Sequence, residues 1–108
     1  MKVYELLAKS DAWTQRALAR TSSGVPIYSP CDKLATAWCF YGAIMVCYTN
    51  DEQRAQAVLS VNTRLRDSED KDDDWMRPTD QTMRVTWWND RQERRHEEVV
   101  QMARDLDI

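Results

Sequence analysis

Polar and apolar residues are interleaved along most of this chain, but from Leu34 to Tyr48 the polar ones almost vanish. The run reads Leu-Ala-Thr-Ala-Trp-Cys-Phe-Tyr-Gly-Ala-Ile-Met-Val-Cys-Tyr, broken only by Thr36. Wound as a helix, it places Ala35, Trp38, Cys39, Gly42, Met45 and Val46 on one side. Leu34, Ala37, Tyr41, Ile44 and Tyr48 fall on the other. A helix that is apolar all round must be surrounded, so the pattern predicts a buried central helix over roughly 32–49 with the rest of the chain wrapped about it. Pro30-Cys31-Asp32 is its predicted start, with an acid in the first turn where the helix dipole favours one.

The flanking patterns predict shorter helices. Val3, Leu6, Leu7 and Ala8 give an amphipathic first helix, which Ser10-Asp11 ends. Trp13 to Arg20 reads as a second helical turn, with Trp13 and Ala17 on one face. Gly24, Pro26 and Pro30 break any period between Thr21 and Pro30, which predicts a loop. Asn50 with Gln53 is a capping-box-like pair opening a helix whose apolar face is Ala55, Val58, Leu59 and Leu65. The short connection predicts that it doubles back on the central helix. Asp80 to Trp88 fits either a helix or an alternating strand; helix is chosen because no partner strand is foreseen. Asn89-Asp90 stops it, and Val99, Met102, Ala103 and Leu106 mark the inner face of a last helix.

Composition strengthens the helical reading. Two glycines, three prolines and 31% charged residues in 108 residues disfavour a turn-rich β fold. The expected architecture is therefore all-α: one domain over 1–108, a compact bundle of about five helices around the central one. The net charge of −3 is unevenly placed. Asp67 to Asp74 holds six acids and one base, leaving 12 acids and 14 bases elsewhere. That stretch is expected to be a solvated loop, with little to bury. No basic stripe is evident, so direct nucleic-acid binding is not expected. The three cysteines, Cys31, Cys39 and Cys47, are an odd set better suited to reduced core thiols than to a disulfide framework. There is no leader-like start, and the apolar run falls short of the roughly 20 residues that span a bilayer. A cytoplasmic protein without a membrane association is expected.

Candidate chemistry is sparse. Asp70, Asp72 and Asp74 have the spacing of the first calcium ligands of an EF-hand, but Trp75 and Gln81 stand where its Gly and Glu belong. His96-Glu97-Glu98-Val99-Val100 lacks the second histidine of a zinc helix. Cys39, His96 and an acid could form a thiol triad, but Cys39 in mid-helix is far from the electropositive setting that a thiolate needs. No metal, cofactor or catalytic set is expected. Gly42 is a more useful clue, because a glycine inside a helix costs about 1 kcal/mol relative to Ala and marks close backbone approach. Of the five tryptophans, adjacent Trp87 and Trp88 point different ways; core packing of both is the first reading, and one of them at a pocket mouth or a partner surface the second. Arg91, Arg94 and Arg95 are expected to pair with Glu93, Glu97 and Glu98.

Three pieces occur in a telling order: Trp13-Thr14-Gln15 leading to Arg20 and Gly24, then Trp38-Cys39-Phe40-Tyr41-Gly42-Ala43, then Trp88-Asn89-Asp90. In this the chain resembles a small helical domain of unknown function found in bacteriophages and actinobacteria. The resemblance implies a compact helical domain and no assigned activity. It departs after Asp90, where a small Gly- or Pro-containing loop is expected and Arg-Gln-Glu-Arg-Arg-His stands instead. Asn89 and Asp90 can cap the last helix or hold the Trp13-Thr14-Gln15 turn by hydrogen bonds, and Arg20 can pair with Asp32. The same residues can equally line a pocket.

Two functions follow, with enzymatic activity left open and the non-enzymatic reading preferred. The first is a small protein-interaction module, such as a phage modulator of a host protein, presenting Trp75 or Trp87 on a flat apolar patch. The second is a small-molecule or nucleotide pocket lined by Trp13, Gln15, Arg20, Trp88, Asn89 and Asp90, with a cavity of at least about 300 Å3 near Trp38 and Gly42. A weaker third is nucleic-acid mimicry by the acidic stretch.

Overall fold

The apolar run does not form one helix. In the computed structural model, which describes residues 1–67 and 80–108, its first part is extended and only Phe40–Cys47 is helical. The extended part belongs to a small antiparallel sheet of three two-residue strands: β1 (Ala19–Arg20), β2 (Pro26–Ile27) and β3 (Ala37–Trp38). The order is β2-β1-β3, with Ala19 opposite both Ile27 and Trp38. This sheet overturns the all-α expectation. It also corrects the predicted helical turn at Trp13–Arg20, which is irregular up to β1 and has Arg16 in the left-handed region at φ 63°.

The described residues also form five α-helices. They are α1 (Val3–Leu6), α2 (Phe40–Cys47), α3 (Asp51–Asp67), α4 (Gln81–Asn89) and α5 (His96–Asp105), with a 3-10 turn at Ser10–Ala12. α2 is the hub: it packs on α1, α3 and α4, while α1 also meets α5 and α3 meets α4. Phe40, Ala43 and Ile44 of α2 are buried with Val3, Leu7, Val61, Val85, Val99 and Ala103 from the helices around it.

Local chemistry explains the helix ends. Asn50 Oδ1 accepts from Glu52 N at 2.9 Å and Gln53 N at 3.1 Å, which satisfies the orphan donors at the start of α3. Asp80 caps α4 through Met83 N at 3.0 Å. The inner face of α3 is Ala57, Val58, Val61, Asn62 and Leu65, rather than the face through Ala55 and Leu59, which are exposed. Helix spacing tolerates both choices; contact with α2 and α4 selects the first.

The start of α2 shows why the long helix fails. Cys39, placed in mid-helix by its apolar neighbours, is the N-cap: its backbone is extended and its Sγ accepts from Gly42 N at 3.2 Å. Upstream, Thr36 N donates to Arg20 O at 2.9 Å and Cys39 N to Leu18 O at 3.2 Å. The backbone donors of Thr36 and Cys39 are thus spent on Arg20 and Leu18, and that pairing with β1 excludes a helix from 32. Leu34, counted among the core positions, is 68% exposed.

Candidate functional site

The polar residues singled out in the sequence converge on one buried corner, where the C-terminal end of α4 meets the start of α2 and the segment after the 3-10 turn. At its centre is Asn89, the last residue of α4, with no solvent exposure. Its Oδ1 accepts from the Trp13 indole Nε1 at 2.7 Å and from Phe40 N at 3.0 Å. Its Nδ2 donates to Thr14 O at 3.2 Å and to Asp90 Oδ1 at 2.9 Å. An amide has two acceptor and two donor positions, and here all four are used. Phe40 N is one of the donors left over at a helix start, so Asn89 closes α2, α4 and the Trp13 segment in a single group.

Neighbouring side chains extend the corner. Gln15 Nε2 donates to Asn89 O and Arg91 O, both at 2.8 Å, and thereby occupies carbonyls at and just beyond the end of α4. Asp90 Oδ1 also accepts from Arg16 N at 3.0 Å, which fastens the residue in the left-handed conformation. Thr14 N donates to Trp38 O at 3.1 Å, and Trp13 bridges Trp38 in parallel register. The segment 13–16 has no ladder of its own beyond this bridge. Its hydrogen-bonding needs are met by α4 and β3, which accounts for its order without regular structure.

Gly42 lies in the first turn of α2 against this corner. A Cβ built there would sit 2.1 Å from the Leu18 carbonyl oxygen. Close approach was the reading given to this glycine, and the approaching element is the backbone entering β1. The space beside Gly42 is filled by that carbonyl.

Trp88 is buried against Phe40, ring centroids 5.8 Å apart, and the Arg94 guanidinium lies 4.0 Å above its ring. Arg94 Nε donates to Trp88 O at 3.0 Å and Nη1 to Glu98 Oε2 at 3.1 Å. This Arg does what a glycine or proline would otherwise do between α4 and α5: it fixes the turn, and α5 starts at His96. Arg91 pairs with Glu93 at 2.8 Å and Arg95 with Glu97 at 3.1 Å, the internal pairing foreseen for this cluster. Trp87 is half-buried with Arg91 5.5 Å from its ring centroid. Trp38 is also half-buried, its indole donating to Pro30 O at 2.8 Å. Trp75 and the acidic run after Asp67, with the calcium-like spacing of Asp70, Asp72 and Asp74, lie outside the described residues.

Arg20 turns away from Asp32. Its Nε donates to Thr14 Oγ1 at 2.9 Å, Nη1 to Gly24 O at 3.0 Å and Nη2 to Gln15 O at 3.2 Å. Asp32 instead caps its own turn through Leu34 N. Trp13 and Arg20 share a cleft of about 380 Å3, but Gln15, Trp88, Asn89 and Asp90 do not line it. The six residues proposed for one pocket are therefore divided between a buried corner and a neighbouring cleft.

Reactive chemistry is muted. Burial pushes the Cys39 thiol up to about 11, partly opposed by the Gly42 N–H and reinforced by the Asp90 carboxylate. It is protonated at neutral pH. His96 Nε2 is bonded to Leu7 O, with the ring 6.3 Å from that of Trp13. Among the described residues no three His, Cys, Asp or Glu side chains are grouped to hold a metal ion, and no helix is long and apolar enough to cross a membrane.

What sequence reasoning missed is the exposed apolar residues of one connection. Tyr28 is 95% exposed, Leu34 68% and Val25 56%. All three lie on the connection that carries β2 and leads into β3. The available signal was the run of Gly24, Pro26 and Pro30, which marks a loop; Pro26 is exposed, while Pro30 is buried and its carbonyl accepts from the Trp38 indole.

Fold and corner together define a small helical protein with a minimal sheet, organised by one buried asparagine. Residues 2–106 match the Family of unknown function (DUF6197), and the chain belongs to that family. No curated protein and no solved structure matches it.

Proposed function

We propose that this protein is a non-enzymatic interaction module that docks a protein partner through the connection from Val25 to Leu34. The observation that carries this reading is Tyr28, an aromatic side chain 95% exposed between two other exposed apolar residues. Tyrosine offers a large contact area at low conformational cost and is enriched at binding surfaces. The buried corner points the same way, because the side-chain amide of Asn89 is fully bonded internally and leaves nothing for a substrate there. The proposed partner is a host protein, on the resemblance to phage-borne domains read in the sequence.

The test is capture from a bacterial host lysate on the immobilised chain, with Tyr28→Ala and Leu34→Ser beside wild type. A protein retained by wild type and lost by both variants, at unchanged unfolding midpoints, supports the reading. Identical retention by all three overturns it.

A further inference from the structure

The cleft beside the corner holds two opposite charges that do not pair with each other. Asp11, on the 3-10 turn, and Arg20, on β1, both line the cleft of about 380 Å3, together with Trp13, Thr14, Thr21 and Thr36. Elsewhere arginine–carboxylate pairs are formed, as at Arg91–Glu93, Arg94–Glu98 and Arg95–Glu97. Arg20 is held by three uncharged acceptors, the Thr14 hydroxyl and the carbonyls of Gly24 and Gln15. A guanidinium has five N–H donors, so two on its terminal nitrogens are left for a ligand. The fork is fixed before any ligand arrives, which lowers the ordering cost of binding. Asp11 forms no hydrogen bond or ion pair among the described residues, and its carboxylate is free to accept.

We propose that this cleft binds a small zwitterion of the α-amino-acid class, with its carboxylate on Arg20 and its ammonium on Asp11. A simple anion would satisfy Arg20 but be repelled by Asp11, and a cation the reverse. A neutral polyol would meet the hydroxyls yet leave both charges without counter-charges. A molecule carrying both charges gains two charge-assisted hydrogen bonds, about twice as strong as neutral ones. Thr14 reinforces the carboxylate end: its Oγ1 accepts from Arg20, which leaves its own O–H to donate. The face of Trp13 supplies the apolar wall for a side chain, since its indole N–H is already committed to Asn89. The cleft volume falls within the range of small-molecule sites. This inference is independent of the docking reading, because Val25, Tyr28 and Leu34 do not line the cleft.

The experiment is an NMR titration of the 15N-labelled chain with mixed free amino acids up to about 10 mM, a range that reports weak millimolar binding. Sodium acetate and methylammonium serve as single-charge controls. Saturable shifts of the Thr14, Thr21 and Arg20 Nε–H signals with amino acids, and far smaller shifts with either control, are expected. Asp11→Asn should weaken amino-acid binding about tenfold while leaving the unfolding midpoint unchanged, since Asp11 supports no other group. No saturable shift overturns the proposal. So does acetate binding as well as the amino acids, or Asp11→Asn binding them as tightly as wild type.

Discussion

The corner at Asn89 and the connection from Val25 to Leu34 invert the common arrangement of polar and apolar residues. In the corner, an asparagine with no exposure holds together three segments through four hydrogen bonds. On the connection, a tyrosine, a leucine and a valine stand in water. The two regions are joined through β1 and β3, only two residues long each. The difference teaches that a polar motif is not by that fact a functional one. A buried polar group is costly unless fully bonded, and when fully bonded it specifies one arrangement of its neighbours. A single exposed apolar side chain is ordinary, and it is the occurrence of three on one connection that sets this region apart.

Asn89→Ala should break the corner with the largest effect. It leaves the Trp13 indole N–H, Phe40 N–H and Thr14 carbonyl buried without partners, and each such loss costs about 1–3 kcal/mol. A total of about 3–5 kcal/mol is expected in urea unfolding, at the extreme of single substitutions. Gly42→Ala comes next. In an ordinary helix position this change stabilises by about 1 kcal/mol. Here the new methyl meets the Leu18 carbonyl, a backbone atom that cannot swing aside, so a net loss of about 2 kcal/mol or more is expected in the same assay. Trp13→Phe keeps the aromatic body and removes one hydrogen bond, leaving an acceptor on Asn89 that still receives Phe40 N. About 1–2 kcal/mol is expected.

Alkaline pH should destabilise both ends of α2. Burial raises the thiols of Cys39 and Cys47 and the phenol of Tyr48. Each group holds its proton more tightly folded than unfolded, so stability is full below about pH 9 and falls as pH rises toward 11. For Cys39 alone the slope approaches about 1.4 kcal/mol per pH unit in that window. Cys39→Ser replaces the sulfur acceptor at the N-cap with a hydroxyl oxygen and removes this titration, so its unfolding midpoint should fall less between pH 9 and 11 than that of wild type. The smallest effect belongs to the other region: Tyr28→Ala should change the unfolding free energy by less than about 0.5 kcal/mol, as surface substitutions do. A larger loss would make Tyr28 a packing residue and remove the contrast.

Legibility in the sequence followed the length of the elements. α3 and α5 were readable as helices because several turns repeat an apolar spacing and Asn50 announces a helix start, whereas the spacing of α4 fitted a strand as well. The run from Leu34 to Tyr48 misled because its residues are apolar whether the backbone is extended or helical, so no period marks the change at Cys39. A cysteine N-cap is outside the usual Ser, Thr, Asp and Asn set, and strands of two residues are too short to alternate. The same shortness hid the irregular backbone of 13–16, whose Trp13 and Ala17 spacing suggested a helix. The side-chain chemistry of Asn89 and Asp90 allowed hydrogen bonds to the Trp13 turn, and the structure makes them. The separation of Arg20 from Asn89 could not be read, because it depends on which way the chain leaves Arg16.

Hydrogen exchange of two tryptophan indoles tests the contrast most directly. Trp13 Nε1–H is bonded inside the corner and Trp38 Nε1–H to Pro30 O on the connection. If the corner is the structural lock, the Trp13 indole exchanges only through global unfolding, with the free energy found in urea, while the Trp38 indole exchanges at least about tenfold faster through local opening. A Trp13 indole exchanging as fast as that of Trp38 would contradict the account.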